Sequence, residues 1–112
     1  MHTVVETQSY LASAKAEGMT EAEMESAVSL LSLNPTAGDM IVGSGGCRKV
    51  RIAGKGKGKS GGYRVLTFYA QPDRPVYLLA VLSKSSRANF SDGEITAMKQ
   101  VTKALQVEWS KQ

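Results

Sequence analysis

CRKVRIA at residues 47–53 begins the part of this 112-residue chain that decides its fold, and YRVLTFYA at 63–70 and VYLLAVL at 76–82 follow it. Apolar and polar residues alternate along the first two runs, which is typical of strands with one buried face. The third run is apolar on both faces and predicts a central strand. Because short connections join the three runs, we expect an antiparallel meander.

Helical patterns flank these strands on both sides. Residues 9–33 predict two helices, or one helix broken by a glycine, and TEAE at 20–23 fits a capping box. A second capping box, SDGE at 91–94, precedes apolar residues at helical spacing up to residue 105. A β-branched run at residues 2–7 predicts one more strand. The order β-α-α-β-β-β-α predicts an α+β fold: a small antiparallel β-sheet with two N-terminal helices and a C-terminal helix.

Length and composition limit what the chain can be. Its 112 residues fit one domain over residues 1–112, and 42% hydrophobic with 21% charged residues is typical of soluble proteins. No apolar run approaches the ~20 residues that span a bilayer, and the N-terminus lacks the features of a signal peptide. One cysteine and one histidine exclude a disulfide framework and supply too few ligands for a zinc site. We therefore expect a cytoplasmic protein with no membrane contact, no metal and no cofactor.

The charge is distributed unevenly along the chain. Residues 1–42 carry a net charge of −5, whereas residues 43–112 carry +9. Basic residues are densest between 48 and 64, where no acidic residue occurs. Such a segment attracts polyanions, and nucleic acid is the usual partner. A strand edge and loop kept soluble by lysine is the alternative interpretation.

The loop GKGKGKS at 54–60 departs from a phosphate-binding P-loop in two ways. The P-loop spacing would require glycine at residue 53, which is alanine, and the residues after the loop open a strand instead of a helix. We interpret the segment as a flexible connection that carries Lys55, Lys57 and Lys59 to a phosphate backbone. A surface loop without such a role is the alternative.

The predicted meander brings basic residues from separate segments to one edge of the sheet. Arg64 begins the second strand and Lys84 directly follows the third, so both lie at the same edge. Arg51 and Lys59 lie near that edge as well. We therefore expect these four residues to converge on one concave basic site.

Two neighbouring features bear on this site. An ion pair of Arg64 with Glu94 or Asp92 would give the arginine a structural role instead. Phe90, which follows the third strand, offers an aromatic face on which a base can stack.

Four segments carry a resemblance to a known family: RKVR at 48–51, GKSGGYRV at 58–65, VYLLAVLSK at 76–84 and FSDGEI at 90–95. With these motifs the chain resembles the RelE/HigB-type toxins of bacterial type II toxin–antitoxin systems, in the RelE/ParE superfamily. The resemblance covers roughly residues 20–107. It implies the same fold and an mRNA interferase that inhibits translation, in many members by cutting mRNA on the ribosome. It also implies a cognate antitoxin, and binding of operator DNA only as the toxin–antitoxin complex.

The resemblance assigns roles to individual residues. Arg64 matches the family's active-site arginine, Lys59 and Arg51 match basic positions around the loop, and Lys84 matches the basic residue that closes the central strand. Some members use a tyrosine or histidine near the C-terminus as a base. This chain has neither after Tyr77, and Phe90 cannot transfer a proton.

The sequence therefore predicts a metal-independent endoribonuclease toxin that cuts mRNA through attack of the 2′-OH. Arg64, Lys84 and Lys59 are its expected catalytic residues. The expected RNA-binding residues are Arg48, Lys49, Arg51, Lys55, Lys57 and Phe90. Two other classes remain open: a nucleic-acid-binding module without catalysis, and a ParE-like toxin that poisons a protein target such as gyrase.

Overall fold

The computed structural model describes residues 2–53, 62–83 and 90–110. Its elements follow the chain in the order β1 (Val4–Glu6), α1 (Gln8–Ala16), α2 (Glu21–Leu33), β2 (Asp39–Met40), β3 (Cys47–Ala53), β4 (Gly62–Phe68), β5 (Val76–Ser83) and α3 (Asp92–Ser110). The five strands form one sheet in the order β1-β5-β4-β3-β2. The predicted α+β fold, with two helices before the meander and one after it, is confirmed.

The sheet is mixed because β1 lies parallel to β5, while the other neighbouring pairs are antiparallel. The antiparallel meander of β3, β4 and β5 is confirmed. The two-residue strand β2 was not predicted. It begins after Gly38, whose φ of +93° and close approach to the Lys49 carbonyl leave no room for a side chain.

Each face of the sheet carries its own hydrophobic cluster. On one face Val50, Val65 and Val81 pack with residues of α1 and α2, including Tyr10 and Leu31. On the other face Cys47, Leu66, Phe68 and Leu79 pack with Met98 of α3. β5 contributes to both clusters, which explains why its sequence is apolar on both faces.

Side chains of α1 complete the outer edge of β5 beyond the short β1. Ser9 Oγ donates to the Leu79 carbonyl (2.8 Å), and the Val81 N–H donates to Ser13 Oγ (2.9 Å). A β-bulge lies at the same level, since Leu66 pairs with Ala80 and Thr67 with Leu78. The extra residue, Leu79, joins the cluster beneath α3.

Both predicted capping boxes are present at helix starts. In α2 the Glu23 N–H donates to Thr20 Oγ1 (3.1 Å) and the Thr20 N–H donates to Glu23 Oε1 (2.7 Å). In α3 the Glu94 N–H donates to Ser91 Oγ (3.2 Å) and the Ser91 N–H donates to Glu94 Oε1 (2.7 Å). Across the described ranges, no helix has the length and apolar character that crossing a membrane requires.

Candidate nucleic-acid interface

Two arginines face each other where β3 ends and β4 begins. Arg51 is the direct partner of Arg64 in the antiparallel ladder, and Arg64 is in turn the partner of Leu82 in β5. Side chains of directly opposed residues stand on the same face, with Cβ atoms about 4.5–5.5 Å apart. The structure therefore brings Arg51 and Arg64 together at one edge of the sheet, whereas Lys59 and Lys84, the other residues of the predicted convergence, lie outside the described residues.

This pair lies on the face of the sheet that α3 covers. Alternation along β4 puts Arg64 on the same face as Leu66 and Phe68, which pack against Met98 of α3. Arg64 is half-buried and Arg51 is exposed. The two guanidinium groups are therefore held on a rigid surface beside an apolar layer.

A cavity of about 270 Å³ opens beside Arg64, between the sheet and the N-terminal half of α3. We call it the proximal cavity. Its lining is mainly apolar and includes Arg64, Leu66, Leu79, Phe90, Glu94 and Met98. An apolar wall lowers the local dielectric constant, so a charge on Arg64 acts more strongly on an anion here than it would in open water.

Glu94 is brought into the proximal cavity by the capping box at the start of α3. Its Oε1 accepts the Ser91 N–H, which fixes the carboxylate near the first turn of the helix. Arg64 and Glu94 thus line one cavity, so a structural pairing of the two stays open as the alternative role of Arg64. In the sequence, the capping-box spacing from Ser91 to Glu94 was the feature that indicated where Glu94 lies.

Phe90 is partly buried and packs against the cluster beneath α3 while also lining the proximal cavity. An aromatic side chain that lines the same cavity as an arginine is suitably placed for stacking on a base. The structure thus brings Phe90 together with Arg64.

The other predicted RNA-binding residues of β3 differ in position. Lys49 is opposite Leu66 and, by alternation, shares the face of Arg51 and Arg64. Arg48 is opposite Thr67, belongs to the other face, and lies about 10 Å along the strand from Arg51. The structure therefore does not bring Arg48 to the proximal cavity.

Four predicted site residues lie outside the described residues. Lys55, Lys57 and Lys59 belong to the connection between β3 and β4, and Lys84 directly follows β5. Leu82, two residues before Lys84, is the ladder partner of Arg64.

The single cysteine and the single histidine are not placed for catalysis at this site. Cys47 is fully buried, and burial raises the pKa of its thiol to about 11, so it stays protonated at neutral pH. The His2 ring packs edge-on against Tyr69, with ring centroids 5.0 Å apart. Tyr69 follows the far end of β4, away from Arg64.

One comparison with known proteins identifies the family. A family model described as the RelE toxin of the RelE/RelB toxin–antitoxin system matches residues 2–112. The match covers nearly the whole chain, including every strand and helix described above. The chain therefore belongs to the RelE family of toxins of toxin–antitoxin systems, and a cognate antitoxin is its implied partner.

Proposed function

We propose that this toxin is a metal-independent endoribonuclease that cuts mRNA on the ribosome and so inhibits translation. The observation that carries the proposal is the opposed pair of Arg51 and Arg64, of which Arg64 lines the proximal cavity. Directly opposed like charges destabilise a sheet. A phosphate bound between the two arginines would attract both guanidinium groups and so offset their mutual repulsion. Arginine is well suited to bind phosphate through its planar fork.

RNA supplies its own nucleophile for the reaction. The 2′-oxygen attacks the adjacent phosphorus as its proton leaves, and the bond from phosphorus to the 5′-oxygen breaks as that oxygen gains a proton. The products are a 2′,3′-cyclic phosphate and a 5′-hydroxyl end. Negative charge builds on the phosphorane oxygens in between, and stabilising such charge is often the largest catalytic contribution.

The proposed roles follow from this chemistry. Arg64 donates hydrogen bonds to the phosphorane oxygens, while Lys59 and Lys84 serve in phosphate binding or proton transfer. A lysine among other cations has a lowered pKa, which suits it to proton transfer near neutral pH. Phe90 stacks on a base next to the cleaved bond. The remaining residues proposed to bind RNA are Arg48, Lys49, Arg51, Lys55 and Lys57.

A requirement for the ribosome is consistent with this site, because few of its side chains can act as a general acid or base. Within the described residues, neither histidine nor tyrosine lines the proximal cavity. A site that relies on cationic stabilisation gains most when the substrate is already held in line for attack. The ribosome would supply that order, the antitoxin would block the basic face, and operator DNA would be bound only by the toxin–antitoxin complex.

Primer extension on a defined mRNA in cell-free translation tests the proposal. The variants are Arg64→Ala, Arg64→Lys and, as a control, Lys103→Ala on the exposed face of α3. We expect ribosome-dependent cuts with the wild type and the control. Arg64→Ala should reduce the cleavage rate about 100- to 1,000-fold, as loss of one transition-state donor does. Arg64→Lys should stay impaired because lysine lacks the fork.

Three results would contradict parts of the proposal. Cuts on naked RNA at the same rate would remove the ribosome from the mechanism. Equal cleavage by Arg64→Ala and the wild type would give Arg64 the structural role. An absence of cuts with folded protein would leave the binding-module class, or, if DNA damage appears instead of translation arrest, the gyrase-poison class.

A further inference from the structure

A second cavity, of about 470 Å³, lies at the opposite end of the sheet, where β3 begins and β4 ends. We call it the distal cavity. Among the residues that line it are Arg48, Phe68, Tyr69, Gln71, Arg74 and Gln106. Its volume is within the range of small-molecule sites, about 300–1,000 Å³.

The distal cavity is basic. Arg48 and Arg74 are both half-buried there, and no carboxylate occurs among the lining residues in the described part of the chain. The Arg48 guanidinium has no hydrogen bond or ion pair to any other described residue. A half-buried cation without a carboxylate beside it favours an anionic ligand.

The other lining residues suit a nucleotide better than a bare anion. Tyr69 is partly buried beside the cavity and offers an aromatic ring. Gln71 carries an amide, which can both donate to and accept from a base edge. Arginine for a phosphate, an aromatic ring for stacking and amides for base edges are the components of single-stranded RNA recognition.

We propose that the distal cavity holds a nucleotide of RNA, with its phosphate on Arg48, at a distance from the bond that is cut. This proposal rests on the proposed function and extends it to a second RNA contact. The distal cavity is lined from both faces of the sheet: Arg48 belongs to one face, whereas Phe68 belongs to the face that carries Arg51 and Arg64. Along β3, Arg48 at the distal cavity is three residues from Arg51. Three strand residues span about 10 Å, so one RNA strand can reach both cavities.

A carboxylate of a partner protein is the competing ligand, because arginine binds carboxylate and phosphate with the same fork. The aromatic ring and the Gln71 amide favour RNA over a carboxylate. The nucleotide can belong to the mRNA that is cut or to ribosomal RNA. Both present the same phosphate and base chemistry to the cavity.

Binding measurements with two RNA probes test the proposal. The first probe is a 12-nucleotide single strand, fully 2′-O-methylated so that it cannot be cleaved, followed by fluorescence anisotropy at several salt concentrations. The second is the 70S ribosome without mRNA, followed by sedimentation. The variants are Arg48→Gln and Arg48→Lys, and Lys15→Gln on exposed α1 is the matched loss of one charge.

We expect Arg48→Gln to weaken binding about 5-fold at 0.1 M salt and to reduce the logarithmic salt slope by about 0.7, the value for one phosphate contact on a single strand. Arg48→Lys should retain the salt slope but bind more weakly than the wild type. Lys15→Gln should bind as the wild type does. Loss on the 12-mer assigns the nucleotide to mRNA, and loss on the ribosome alone assigns it to ribosomal RNA.

The proposal is overturned if Arg48→Gln and Lys15→Gln bind both probes equally. It is also overturned if Arg48→Gln binds both as the wild type does but loses affinity for the antitoxin. In that case the cavity takes a protein carboxylate. Because the 12-mer cannot be cut, these results do not depend on whether Arg64 catalyses cleavage. If the wild-type protein binds neither the 12-mer nor the ribosome, the proposed function is contradicted as well.

Discussion

At the scale of single residues, the opposed arginines stand out because they work against stability. Like charges directly opposite each other in a ladder cost on the order of 0.2–1 kcal/mol. Arg51 and Arg64 occupy such positions near the end of β3 and the start of β4. Among the other described pairs of the meander, none joins two like charges, so the conflict is confined to the site. Local violations of folding rules are expected where a ligand compensates for them.

Cys47 supplies a prediction that separates structural from chemical roles. It is the only cysteine, and burial raises the pKa of its thiol from 9.0 to about 11. A shift of two units lowers the thiolate fraction at pH 8 about 100-fold. We therefore expect iodoacetamide at pH 8 to alkylate the native protein at least about 100-fold more slowly than the protein in 8 M urea, measured by intact-mass spectrometry.

The control for this measurement is free N-acetylcysteine, with and without urea, which corrects for the effect of urea on the reagent. Equal rates for the native and unfolded protein would contradict the burial of Cys47 between β3 and α3. They would also reopen a chemical role for the thiol.

At the scale of elements, the capping box that opens α2 predicts a measurable contribution to stability. Thr20→Ala removes the acceptor for the Glu23 N–H, and Glu23 itself is only 3% exposed. The free energy of unfolding should fall by about 0.5–2 kcal/mol, the range for loss of an N-cap side chain. Urea unfolding with an unchanged m-value would give this difference directly.

Thr36→Ala is the matched control, because Thr36 is exposed and its hydroxyl makes only a 3.4 Å hydrogen bond to Asn34 Oδ1. It should change the free energy of unfolding by less than about 0.5 kcal/mol. Equal losses for the two variants would mean that the capping box is not specifically stabilising α2.

The elements that the sequence predicted are those with a clear apolar period. β3 and β4 show apolar alternation, and α2 and α3 begin with capping boxes. These are local sequence patterns, so each predicts its element without information from distant residues. β2 escaped prediction because two residues, Asp39 and Met40, are too short to show alternation. The parallel alignment of β1 with β5 was not predicted either. The two strands are about 70 residues apart in sequence, and nothing in Val4–Glu6 indicates whether β1 pairs parallel or antiparallel.

The candidate site was predictable to the extent that it follows from strand register. Two neighbouring antiparallel strands bring Arg51 opposite Arg64 once the connection between them is known. The distal cavity was not predictable in this way, because it combines Arg48 of β3 with Arg74 after β4 and Gln106 of α3. Only the packing of three elements brings these side chains together.

At the scale of the whole molecule, the sheet separates the acidic helix α2 from Lys49, Arg51 and Arg64, although Asp39 of the acidic half lies directly opposite Lys49. Acidic residues of α2 lie behind one face of the sheet, whereas Arg51, Arg64 and Lys49 share the other. α2 itself carries Glu21, Glu23 and Glu25, which the +4 net charge conceals. A polyanion that approaches the basic face is thus shielded from these acids by the sheet.

This separation predicts how the acids affect RNA binding at different salt concentrations. Glu21 and Glu25 are exposed on α2, and the sheet together with a helix about 10–12 Å wide lies between them and the basic face. The Debye length is about 8 Å at 0.15 M salt and 30 Å at 0.01 M. The double variant Glu21→Gln/Glu25→Gln should therefore bind the 2′-O-methylated 12-mer within about twofold of the wild type at 0.15 M salt. At 0.01 M salt it should bind more tightly.

Arg51→Gln provides the contrast, because a residue on the basic face should lower affinity at both salt concentrations. A several-fold gain by the acidic double variant at 0.15 M salt would contradict the separation. RNA would then have to pass within a Debye length of α2, across an edge of the sheet. The same titration thus measures whether the nucleic acid stays on the face that carries Arg64, as the proposed contact of the phosphate with Arg64 requires.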